Sequence, residues 1–163
     1  MNVVLIGMPG SGKSTVGVLL AKALLYRFID TDLIIQTECG KSLCDLISEK
    51  GLEGFIQTEN MILSQLDYGD RCIIATGGSA VYGKDAMNSL KRCGKVVYLK
   101  VSPEELEQRI VNISTRGIAM PQGCTLSKLY NQRASFYEKY ADVIIDCNGL
   151  NIEETVSKVM QNI

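Results

Sequence analysis

Apolar residues along this 163-residue chain follow two rhythms. Unbroken runs of four, Val3-Val4-Leu5-Ile6, Cys72-Ile73-Ile74-Ala75 and Val96-Val97-Tyr98-Leu99, are too short for buried helices and read as strands covered on both faces. Val143-Ile144-Ile145-Asp146 predicts a further strand, and Arg27-Phe28-Ile29 a short one ending at Asp30-Thr31-Asp32. Helical signals fill the intervals. They cover Val16 to Leu24, Leu33 to Glu38 and Thr125 to Tyr140. Residues 42 to 66 read as two or three short helices broken near Gly51 and Gly54, opened by Ser42 with Asp45 and carrying Phe55, Ile62, Leu63 and Leu66 on one face. Ser102-Pro103-Glu104-Glu105 starts a helix to about Val111, with Ser as N-cap and Pro at the first position, and Asn151-Ile152-Glu153-Glu154 caps a last one to about Asn162. Strands alternating with helices predict an α/β fold, a parallel sheet with helices on both faces. The length suits one domain that buries about two-thirds of its unfolded surface.

Directly after the first strand stands Gly7-Met8-Pro9-Gly10-Ser11-Gly12-Lys13-Ser14-Thr15, a full match to G-x-x-x-x-G-K-[ST] with a helix behind it. Strand, loop and helix in that order are the context of a P-loop. The glycines let the backbone curl with its N–H groups inward, a nest for phosphates at a helix N-terminus. Gly7, Gly10, Ser11, Gly12, Lys13, Ser14 and Thr15 are therefore expected to hold a nucleotide, with Lys13 on the β and γ phosphates and the Ser14 hydroxyl on Mg²⁺.

Asp30 and Asp32 end the second strand, where open α/β sheets bind ligands. Their i, i+2 spacing in extended backbone points both to one side, so one would serve Mg²⁺ through water and the other accept a hydroxyl proton. The simpler alternative is that Asp32 caps the following helix. Thr76-Gly77-Gly78-Ser79-Ala80 ends the third strand, and paired glycines there admit a ligand close to the backbone. Residues 112 to 124 lose periodicity and collect Gly117, Pro121, Gly123 and Arg116. They read as a lid whose arginine closes over transferring phosphate, or else as a loop with a solvated arginine.

Composition narrows the chemistry. The formal net charge is -1 with 21% charged residues, so no basic field faces a nucleic-acid backbone. No apolar run approaches the ~20 residues of a membrane span, and the first strand already belongs to the P-loop, so a cytoplasmic protein without membrane partners is expected. Six cysteines at 39, 44, 72, 93, 124 and 147 show no metal spacing and read as reduced. There is no histidine, which removes Ser-His-Asp and Cys-His catalysis and leaves carboxylates, Lys, Tyr or water for proton handling. The absence of a guanine-reading N-K-x-D segment argues against a GTPase.

In this order the motifs resemble the shikimate kinases over nearly the whole chain. That family carries a P-loop, an F-x-D-x-D segment (Phe28 to Asp32 here), a glycine before F-R-x-x-E, G-G-G after the third strand, an arginine-bearing lid and an R-x-x-x-Y helix (Arg133 to Tyr137 here). The resemblance implies a three-layer P-loop fold with a five-stranded parallel sheet, nucleoside monophosphate kinase-like, formed by residues 1–163 as a single domain. It also implies a substrate-binding helical insertion at about 32–66, a lid at about 112–124, and transfer of the γ-phosphoryl of ATP to a ring hydroxyl. By that likeness Lys13, Asp32 and Arg116 are catalytic, Ser14 and Asp30 serve Mg²⁺, and Arg109 lies against adenine. Asp32, Gly77, Gly78, Ser79 and Arg133 meet the substrate, Arg133 through its carboxylate.

Two positions depart from the pattern. Phe55-Ile56-Gln57-Thr58-Glu59 has Ile56 where the family has arginine, and Gly77-Gly78-Ser79 ends in serine where it has glycine. The nucleotide half is intact and the acceptor half altered. The expectation is a monomeric, ATP- and Mg²⁺-dependent kinase of a small hydroxylated metabolite, with shikimate the first choice. A different small alcohol or sugar acid, a nucleotide-binding module without transferase activity, and a nucleic-acid-processing kinase stay open at this level.

Overall fold

The computed structural model describes residues 1–110 and 118–163. Five strands, β1 (Asn2–Ile6), β2 (Arg27–Asp30), β3 (Cys72–Ala75), β4 (Gly94–Lys100) and β5 (Val143–Asp146), form one sheet in the order β2-β3-β1-β4-β5, every neighbouring pair parallel. β1 lies central, with every residue buried, as its unbroken apolar run requires. From β1 the chain crosses to β2 and returns to β3 beside β1, then places β4 on the opposite side. The reversal at β1 opens a crevice at the carboxyl ends of the strands, where the P-loop sits.

Helices α1 (Lys13–Leu24) and α7 (Ile152–Asn162) pack together, as do α3 (Leu43–Gln65) with α4 (Lys84–Cys93) and α5 (Pro103–Arg109) with α6 (Leu126–Tyr140). α2 (Thr31–Cys39) leads from β2 into α3. Most caps follow the sequence. Ser42, Ser102, Thr125 and Asn151 each accept an amide three residues on, Asn151 in a reciprocal box with Glu154.

Four expectations change. The 42–66 region is two helical pieces that meet at a kink at Gly51 (φ 71, ψ 173), as the pattern expects and in a left-handed conformation glycine adopts without strain, but Gly54 stays helical and makes no second break. α2 begins at Thr31, so Asp30 and Asp32 do not share an extended backbone. The N-cap is Asp30, not Asp32: its Oδ1 accepts the Asp32 N–H at 3.0 Å. α5 ends at Arg109, short of Val111. α4 and a 3₁₀ turn at Ala80–Tyr82 were not singled out by the pattern.

A second apolar cluster apart from the sheet core joins Ile35, Leu43, Leu46, Phe55 and Leu63 to Ala80, Ala86 and Ala119. It clamps α2 and α3 onto the 3₁₀ turn and so fixes the wall opposite the P-loop. Among the described residues, no helix is long and apolar enough to cross a membrane.

Gly94 opens β4 with a β-carbon position 2.5 Å from the Asn2 carbonyl oxygen on β1. Gly94→Ala is predicted to destabilise the fold by about 1–3 kcal/mol through overpacking against backbone that cannot move aside, measured as a lower urea midpoint with an unchanged slope.

Candidate active site

The P-loop is built as its glycines require. Gly10 and Gly12 hold φ of 82° and 91°, and Gly12 N-caps α1 with no side chain bonding the helix's first amides and no acid in the first turn. That uncapped N-terminus suits an anion. Lys13 is buried and folds back on the loop, donating to the Gly7 and Met8 carbonyls at 2.9 and 2.8 Å and to Ser11 Oγ at 3.4 Å. Burial lowers its pKa to about 8, with the Asp32 and Asp30 charges opposing and Arg133 reinforcing the shift.

The Ser14 hydroxyl donates to Asp30 Oδ2 at 3.0 Å. A hydroxyl beside a carboxylate, with Asp30 already oriented by the α2 amide, is a hard-oxygen pair of the kind Mg²⁺ takes when phosphates and waters complete its shell. Asp32, one residue into α2, faces the cavity instead. Burial raises its pKa to about 6, aided by the Asp30 charge and opposed by Lys13.

A cavity of about 1070 Å³ runs from the P-loop to the end of β3. One end is walled by Glu105, Arg109 and residues 150–153, where Arg109 pairs with Glu105 and Glu105 accepts the Gly149 amide at 3.0 Å. The other end is the glycine strip with Asp32, Phe55, Ser79 and Arg133. Close approach explains the glycines here. A β-carbon on Gly77 would sit 2.7 Å from Asp32 Oδ1 and 2.8 Å from Glu59 Oε1, and one on Gly78 would sit 2.9 Å from an Arg133 guanidinium nitrogen. The Gly77 amide donates to buried Thr31 at 3.2 Å, and the Tyr137 hydroxyl donates to the Gly78 carbonyl at 2.7 Å.

Arg133 is 1% exposed. Its guanidinium donates to the Ala119 carbonyl and, through Nε, to the Tyr82 hydroxyl at 3.3 Å, with the Tyr82 ring centroid 5.2 Å away. Among the described residues no carboxylate lies within ion-pair distance of it. A buried guanidinium bonded only to neutral oxygens is prepared for an anion.

Thus Gly10, Ser11, Gly12, Lys13, Ser14, Thr15, Asp32, Gly77, Gly78, Ser79, Arg109 and Arg133 all line one cavity. Gly7 stands behind the loop, its carbonyl accepting from the Lys13 ammonium, and Asp30 stands beside Ser14. Arg116 and the first part of the expected lid lie outside the described residues. Sequence reasoning gave no role to Glu59, Tyr82 or Thr31. Glu59 closes the Phe55–Glu59 segment, so its motif position was the available signal; nothing in the pattern marked Tyr82.

A P-loop, a half-buried acid and a buried guanidinium lining one cavity define a P-loop phosphotransferase for a small acceptor. The chain belongs to the shikimate kinase family: the family model for shikimate kinase matches residues 9–163. A shikimate kinase of Symbiobacterium thermophilum is 33% identical over 172 residues, covering 100% of this chain and 96% of that protein. One from Francisella tularensis subsp. holarctica is 34% identical over 161 residues, covering 97% of this chain and 92% of that protein. The shikimate kinase of Acinetobacter baumannii, solved in complex with shikimate, matches the fold with a TM-score of 0.89 at 29% identity, covering 99% of this chain and 91% of that one.

Burial raises the Glu59 pKa to about 7; Asp32 adds to the rise, while the Ser79 hydrogen bond and Arg133 oppose it. The folded state therefore holds a proton that the unfolded chain, at an ordinary value of 4.5, releases first. Stability from this group is complete below about 4.5 and is lost as pH rises through 7, by about 3 kcal/mol in all. Glu59→Gln is predicted to flatten the pH dependence of the melting temperature between pH 5 and 8, checked by thermal unfolding at both.

Proposed function

We propose that this protein transfers the γ-phosphoryl group of ATP to shikimate, giving shikimate 3-phosphate, with Mg²⁺ required. The observation that carries the reading is the single cavity that joins the P-loop to Asp32 and to the buried Arg133 guanidinium, in a chain of the shikimate kinase family. The amides of Gly10 to Thr15 and the Lys13 ammonium receive the triphosphate. Lys13 exchanges its loop carbonyls for β- and γ-phosphate oxygens, which also favours its charged form. Ser14 and Asp30 would hold Mg²⁺, and the ion would neutralise phosphate charge.

Asp32 accepts the hydrogen bond of the attacking hydroxyl and orients it toward the phosphoryl group. Gly77 and Gly78 let the acceptor ring approach the backbone beside Ser79, and Arg133 pairs with the acceptor's carboxylate. Arg109 flanks the adenine, and the α2–α3 segment supplies the acceptor-side wall. Positioning and charge neutralisation supply the catalysis, since phosphoryl transfer asks for little covalent chemistry from the protein. The reading includes a monomer acting in the cytoplasm on a small metabolite rather than on a nucleic acid or membrane.

Purified protein with Mg-ATP is predicted to release ADP at a rate that rises strongly on adding shikimate. Dependence on another hydroxy acid or sugar would place the change at Ile56 and Ser79, and tight nucleotide binding without acceptor-dependent turnover would overturn the transferase reading. Lys13→Ala is predicted to lower kcat/KM by at least about 10²–10³-fold through loss of transition-state charge stabilisation. Asp32→Asn is predicted to lower kcat by about 10²–10⁴-fold with a smaller change in the KM for ATP, both read in the same coupled assay.

A further inference from the structure

The two departures from the family pattern, Ile56 and Ser79, meet at Glu59. Residues three apart share one face of a helix, so an arginine at position 56 would stand beside Glu59 on α3, whereas Ile56 offers it no polar group. Ser79 does. Its hydroxyl donates to Glu59 Oε2 at 2.5 Å, with both residues at least 96% buried. Among the described residues this is the one hydrogen bond that the carboxylate receives, since Oε1 is buried without a partner. With glycine at 79 the whole carboxylate would be unpaired.

The tie extends toward the acceptor end. Ser79 precedes the 3₁₀ turn, and its carbonyl accepts the Tyr82 N–H at 3.0 Å. Tyr82 in turn supplies the hydroxyl and the ring face that meet the Arg133 guanidinium. From the other side, Tyr137 of α6 holds the Gly78 carbonyl. The Gly77–Tyr82 segment is thus held by α6 at Gly78 and by α3 through the Ser79–Glu59 bond and apolar packing at Ala80, and just beyond it Asn60 of α3 accepts the Ala86 amide at 3.0 Å.

We propose that Ser79 is a positioning residue for Arg133: by donating to Glu59 it ties the turn that bears Tyr82 to α3, taking the place an arginine at 56 would fill as Glu59's partner, so that Arg133 alone binds the acceptor's carboxylate. This rests on the shikimate kinase reading. Burial of an unpartnered carboxylate is costly, so either partner satisfies the same need and the two positions are coupled. Restoring arginine at 56 while Ser79 remains gives Glu59 a second donor beside Ser79, for the oxygen Oε1 that now has no partner.

The test is a double-mutant cycle at 56 and 79 on the full chain, with kcat, KM for shikimate and KM for ATP measured separately. Ser79→Ala is expected to raise the KM for shikimate about tenfold or more, the worth of one hydrogen bond to a charged group. It should leave kcat and the KM for ATP within about twofold, and Ser79→Thr, which keeps the hydroxyl, should restore most of the loss. In the Ile56→Arg background the same Ser79→Ala change is expected to cost no more than about twofold, because the guanidinium then partners Glu59. An equal penalty in both backgrounds, or an equal rise in the KM for ATP, would overturn the proposal in favour of a packing effect.

Should Ser79→Ala fail to fold, Glu59→Gln, which still accepts the serine proton, is compared with Glu59→Ala. A raised KM for shikimate in the second alone supports the tie, and the same rise in both overturns it. Absence of shikimate-dependent turnover in the unaltered protein would reject the functional reading and this inference with it, whereas turnover with an additive cycle rejects the inference alone.

Discussion

Burying charge is the constraint from which this site takes its shape. Lys13, Asp32, Glu59 and Arg133 all gather at the carboxyl end of β1 and β3, and each would cost several kcal/mol if it were left there without partners. Lys13 answers by turning its ammonium onto the Gly7 and Met8 carbonyls, which closes the phosphate loop around it. Arg133 answers with Ala119 and Tyr82, neutral oxygens that satisfy its donors without cancelling its charge. Glu59 takes the Ser79 hydroxyl, and burial pushes its pKa up to about 7. The glycines at 77 and 78 follow from the same crowding, since two carboxylates and a guanidinium occupy the space a side chain would need.

The fold decides where that crowding occurs. A parallel sheet whose strand order reverses at β1 leaves its crevice at one edge of the central strands, and the loop after β1 reaches it as the first helix begins. The long α3 is pinned to the 3₁₀ turn by an apolar cluster independent of the sheet core. That wall of the cavity therefore has its own packing, separate from the sheet core that carries the P-loop.

Much of the molecule was legible before its structure. Three of the five strands, β1, β3 and β4, appear as unbroken apolar runs because each is covered on both faces, and caps such as Ser102 and Asn151 are local signals that need no tertiary context. The P-loop is equally local: nine consecutive residues between a strand and a helix carry their own geometry. Misreadings arose where two local rules competed. An i, i+2 pair in extended backbone would put Asp30 and Asp32 on one face, yet helix α2 starts at Thr31, so Asp30 caps that helix and accepts from Ser14 while Asp32 faces the cavity. Gly51 and Gly54 looked alike, but only Gly51 sits at a positive φ.

By itself the sequence determined the phosphate-binding element, the alternation of strands and helices, and the set of charged residues available for chemistry, because these depend on neighbours within a few positions. Only the tertiary structure decided which of those charges face one another. Glu59 and Ser79 are twenty residues apart and Arg133 and Tyr82 fifty-one. Their pairing depends on how α3, α6 and the turn after β3 are packed, which no periodicity records. The raised pKa of Glu59 and the readiness of Arg133 for an anion come from desolvation, a property of the assembled cleft and not of any segment that builds it.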